Sequence, residues 1–139
     1  MRRRWPLVLL PVLVPMLALV ACSDGDGADA AGDPELFCDR LDRLVRNDPF
    51  LAFGERATND EIAMAFDALV QRADELVEVA PPEARAAART YAESTRALDD
   101  LLAEVGHDGT EVDARAYREQ EITYKDSAQR LERHLESEC

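Results

Sequence analysis

The chain has 139 residues and a formal net charge of −13, with 29 acidic residues against 16 basic ones. That length allows one modest domain. The charge argues against nucleic acid or an anionic membrane surface as the main partner, because both select for clustered Lys and Arg.

Met1-Arg2-Arg3-Arg4 is a basic start, and an uncharged, largely apolar run follows from Pro6 to Ala21. With small residues before a break, this is the layout of a secretory signal. The run is shorter than the roughly 20 residues a spanning helix needs, and Pro11 and Pro15 interrupt it, which disfavours a retained transmembrane anchor. It closes on Leu19-Val20-Ala21-Cys22.

That tetrad resembles the lipobox of bacterial lipoproteins, over the signal region only. The resemblance implies that residues 1–21 are cleaved as a signal peptide and that a diacylglyceryl group is attached to the Cys22 thiol. Two or more acyl chains anchor a protein stably where one is marginal. The membrane is then a partner through the lipid on Cys22, and the expected location is the extracytoplasmic face of the cell membrane. Loss of Arg2, Arg3 and Arg4 takes the net charge of the mature chain from −13 to −16. Only Lys125 stands for lysine beside many arginines and alanines, a composition that resembles the small lipoproteins of actinobacteria.

Residues 22–34 are expected to form the lipidated cysteine and a flexible acidic tether, since no large apolar residue lies among them to offset the entropy of ordering. Asp24, Asp26 and Glu35 faintly echo a calcium loop. However, Ala28 and Asp29 stand where that loop needs a ligand and a glycine.

From Asp33 onward the apolar period is helical, and no run alternates as a strand does. The expectation is an all-α, up-down-up-down four-helix bundle over residues 35–139, with a short first helix. Asp33 caps that helix and Pro34 opens it, with Phe37, Cys38, Leu41, Leu44 and Val45 along one stripe. Thr58 and Glu61 fit a capping box ahead of Ile62, Phe66, Leu69, Val70, Ala73, Leu76 and Val77. Ala80-Pro81-Pro82 stops the second helix and starts the third, which carries Ala84, Ala88, Tyr91, Thr95, Leu98, Leu102 and Val105 and ends near Gly106. Thr110 and Asp113 open the fourth, whose stripe is Tyr117, Gln120, Tyr124, Ala128, Leu131 and Leu135.

With Cys22 committed to lipid, Cys38 and Cys139 are left in an exported chain, where disulfides persist. In an up-down bundle the start of the first helix and the end of the fourth share one end, so a Cys38–Cys139 disulfide is expected. The alternative is two free thiols.

Little points to catalysis. His107 falls in a connection and His134 near the end of the fourth helix, about 35 Å apart at helical rise, so they cannot share a metal. His107 reads as a solvated loop residue, and His134 as a cation favoured by a helix C-terminus. There is no glycine-rich phosphate loop, no Gly-x-Ser-x-Gly elbow and no paired Cys-x-x-Cys. Neither an enzyme, nor a metal site, nor a cofactor is expected. The acidic residues read as solvated helix faces, and Arg85, Arg89 and Arg96 as partners of neighbouring acids.

One region invites a sharper reading. Counting at helical rise places Tyr91 and Tyr124 at one level, with Thr95 and Gln120 near them. The first helix is too short to reach that level. Phe50 and Phe53, in the apolar segment after it, are then expected to fill the seam. Three readings follow: a core plug, a roof over a small pocket, or an exposed patch that docks another protein. The expected function is a non-catalytic binding or protein-interaction module in the cell envelope. The alternative is a small-ligand carrier or sensor using a pocket lined by the two tyrosines.

Overall fold

The computed structural model describes residues 32–47 and 57–139. The expected signal, Cys22, most of the expected tether, and Phe50 and Phe53 lie outside the described residues. Four helices make up the described chain: α1 (Pro34–Arg46), α2 (Asn59–Val79), α3 (Pro82–Ala103) and α4 (Ala114–Glu138).

Local chemistry sets their ends. Asp33 caps α1 by accepting from the Leu36 amide at 3.0 Å, with Pro34 in the first turn, where its missing N–H costs nothing. A complete capping box opens α2. The Thr58 hydroxyl accepts from the Glu61 amide, and the Glu61 carboxylate accepts from the Thr58 amide at 2.7 Å. Pro81 and Pro82 separate α2 from α3. Past Ala103, Gly106 takes φ 63° and His107 φ 60°, and the His107 amide donates to the Leu102 carbonyl at 2.7 Å. Two consecutive left-handed residues turn the chain sharply, and only the first is a glycine. Asp113 then caps α4 by accepting from the Arg115 and Ala116 amides.

The helices pack through two apolar clusters. The larger joins Phe37, Leu41 and Leu44 of α1 to Leu69, Ala73 and Leu76 of α2, Ala88 and Tyr91 of α3, and Leu131 of α4. The smaller holds Phe66, Leu98 and Leu102, flanked by Ile62, Val112, Tyr117 and Tyr124, and takes nothing from α1. The reason is length. The 13 residues of α1 span about 20 Å, against about 32 Å for the 21 of α2.

Partners on α2 run backward as α1 runs forward. Arg40 donates to the Glu75 carbonyl and lies 3.9 Å from the Glu78 carboxylate, whereas the Asn47 carbonyl accepts from Arg72 at 2.6 Å. Cys38 and Cys139 form a disulfide with their Cα atoms 5.6 Å apart, tying the first turn of α1 to the end of the chain. Gly32 already touches the bundle, its backbone set so close to Ala80 and Pro81 that a Cβ there would collide with them.

Three side chains sit differently from the stripe reading. Val45 is 42% exposed, because it falls beyond the edge of the apolar face of α1. Ser94 and Ser127 are buried instead, and their hydroxyls donate to the Tyr91 and Tyr124 carbonyls one turn back.

Candidate functional site

Where α1 stops, α2, α3 and α4 leave a cleft of about 720 Å³. Its floor is the smaller cluster, built from Phe66, Leu98 and Leu102, with Leu69 behind them and Ile62 and Val112 at the sides. The α4 wall is polar, presenting Tyr117, Arg118, Glu121, Tyr124 and Lys125 at helical spacing. Lys125 donates to Glu121 at 2.8 Å, so these two charges offset each other across one turn.

Burial, reinforced by the neighbouring Glu121 carboxylate, holds the Tyr117 phenol above the usual tyrosine range. Tyr117 therefore faces the cleft as a neutral hydrogen-bonding group over an apolar floor.

His107 closes the cleft at the α3–α4 turn. Its Nε2 lies 2.9 Å from Asp99 Oδ1, its side chain is only 14% exposed, and its ring centroid is 6.4 Å from that of Phe66. The expectation of a solvated loop residue is therefore corrected. The left-handed turn carries His107 back over the end of α3, where Asp99 receives it. His134 also packs, with its ring edge-on to Phe37 at 5.4 Å and 82°.

Tyr91 and Tyr124 lie together as the register count expects. Their ring centroids are 5.1 Å apart and their hydroxyls 3.4 Å apart. Only Tyr124 of the two lines the cleft, because Tyr91 is 4% exposed and belongs to the larger cluster. Thr95 is fully buried and donates to the Tyr91 carbonyl at 2.7 Å, so it is a core residue. Gln120 sits apart, in a separate groove of about 290 Å³ with Ala97, Leu101 and Ala116. Of the residues grouped by register, one reaches the cleft, two are core, and Gln120 faces elsewhere. Phe50 and Phe53 lie outside the described residues.

Sequence reasoning missed Tyr117, Arg118 and His107 as site residues. Tyr117 was visible as the first member of the α4 stripe. Nothing local marked Arg118 or His107.

No protein-family model, no curated protein and no solved structure matches this chain.

Proposed function

We propose that this chain is a non-catalytic binding module, held on the extracytoplasmic face of the cell membrane by lipid on Cys22, whose cleft takes a small ligand. The observation that carries this reading is the cleft. Its volume lies within the range of small-molecule sites, and a few polar groups, Tyr117, Tyr124 and His107 among them, converge over an apolar floor.

The supporting frame is an up-down-up-down bundle. The backward order of α1 partners along α2 supports antiparallel neighbours, and so does the disulfide between the start of α1 and the chain end. Leu19-Val20-Ala21-Cys22 supports the lipid anchor, and the acidic, glycine-rich residues behind Cys22 support a tether that lifts the bundle off the membrane. The protein-interaction reading rests on Phe50 and Phe53, outside the described residues, and enters here as the contrary outcome of the test.

Native mass spectrometry of the full chain, extracted gently from its own membrane, tests the proposal. The expected result is a lipidated chain carrying an additional small-molecule mass, which is lost when Ile62→Trp fills the cleft. A lipidated chain with no added mass, or one that carries a second protein, would favour the interaction module. Peptide mapping on the same sample tests the anchor, and an unmodified Cys22 thiol would overturn it.

A further inference from the structure

We propose that the ligand of the cleft is an amphipathic monoanion, an apolar body ending in a single carboxylate that pairs with Arg118. This rests on the cleft being the binding site. The apolar floor of Phe66, Leu98 and Leu102 sets the body of the ligand. Charge sets its head. Among the charged residues that line the cleft, Lys125 and Glu121 offset each other, whereas Arg118 makes no hydrogen bond or ion pair with any described residue.

That is against the habit of the chain. With 29 acidic residues available, most of the described arginines are taken up, as Arg43 is by Asp39, Arg46 by Asp42, Arg96 by Asp74, Arg115 by Glu119 and Arg130 by Asp126. An uncommitted guanidinium at the mouth of an apolar cleft matches one carboxylate, which it engages through paired N–H donors. The same acidity selects against polyanions. A nucleotide or polyphosphate would meet the repulsion of the whole surface with one arginine to offset it.

Calorimetric titration of the full chain with decanoate and with 1-decanol tests the head and the body separately. Decanoate is expected to bind at one site about ten-fold more tightly than 1-decanol, the margin of one charge-assisted pair. Arg118→Gln should remove that preference and leave 1-decanol binding unchanged, and Arg118→Lys should retain most of it. Equal affinity for the two probes, or a preference that survives Arg118→Gln, overturns the anionic head while the cleft remains the site.

Ile62→Trp and, as a second filler at the turn, Val112→Phe should abolish binding of both probes while circular dichroism stays helical. If neither probe binds the parent chain, or if both bind the filled variants as well as the parent, the cleft is not the site. The proposed function then fails with the inference.

Discussion

His107 Nε2 and Asp99 Oδ1 lie 2.9 Å apart, and this bond locks a left-handed turn onto the end of α3 beside the cleft. Two substitutions separate the bond from the backbone. His107→Ala loses the bond and keeps a side chain at positive φ, whereas His107→Gly loses the bond but tolerates that φ. The alanine variant is expected to be about 2 kcal/mol less stable than the parent, and the glycine variant about 1 kcal/mol less affected, by urea unfolding. Equal losses would show that the left-handed conformation is not held in solution.

Two carboxylates at helix starts, and a third in the α3–α4 connection, make the local structure sensitive to acid. Glu61 is held below the usual carboxylate range by the Thr58 amide and hydroxyl, Asp108 by the Thr110 hydroxyl and amide, and Asp113 by the Ala116 and Arg115 amides. A group lowered in the folded state stabilises the fold above its unfolded value and loses that contribution as pH falls through its folded value. The first turns of α2 and α4 should therefore fray below the ordinary carboxylate range, seen as faster amide exchange there. Thr58→Ala should bring the same fraying to α2 at neutral pH.

At the alkaline end the sign reverses. Tyr117 is raised, so its neutral form is favoured by the fold, and that contribution is full below the usual tyrosine range. It is lost as pH rises through the folded value. An absorbance titration should show a phenol ionising above the usual tyrosine range that is missing from the Tyr117→Phe variant. If the amplitude that Tyr117→Phe removes lies in the usual tyrosine range, the phenol stands in water.

The Cys38–Cys139 bridge closes nearly the whole folded chain, with a sequence separation of 101. Reduction, or Cys38→Ser with Cys139→Ser, is expected to cost about 4–5 kcal/mol in the chain-entropy account. Thermal unfolding with and without reductant measures it. Because α1 is short and its start is the bridged end, its amides should lose protection first.

Gly32 gives a smaller, local test. A Cβ at this position collides with the Ala80 carbonyl and the Pro81 nitrogen, which belong to the turn between α2 and α3. The chain can avoid the clash by lifting residues 32 and 33 away, at the cost of the Asp33 cap. Gly32→Ala is therefore expected to lose about 1 kcal/mol and to expose the start of α1 to proteolysis. Unchanged proteolysis would mean that Gly32 does not rest on the turn.

Much of the fold was legible because the signals are local. Asp33 with Pro34, Thr58 with Glu61, Pro81 with Pro82, and Asp113 each satisfy or omit donors within a turn or so of themselves, so they mark helix ends wherever the helices later pack. The Tyr91–Tyr124 pairing was legible for a related reason. Rise per residue is constant, so counting from a turn assigns a level on each helix.

Level is not face, and there the reading failed. Gln120 shares a level with Thr95 yet lies in another groove, and Val45 continues the spacing of its stripe yet points to water. A residue advances about 100° around a helix, so the edge of a stripe depends on how neighbouring helices rotate against it. Ser94 and Ser127 were hidden for the opposite reason. Each hydroxyl bonds a carbonyl of its own helix, which lets a polar side chain sit in the core without a partner readable elsewhere in the sequence.

Residue order alone thus settles four helices, three of them opened by side-chain caps, and a first helix too short for its neighbours, and it makes a Cys38–Cys139 bridge the expectation, since caps, periodicity and chain length act within or along the chain. The cleft and its chemistry came only with packing. Side chains distant in sequence, such as Phe66, His107 and Arg118, meet there because α2, α3 and α4 continue past the point where α1 stops. Which of their faces turn inward is decided by mutual contact.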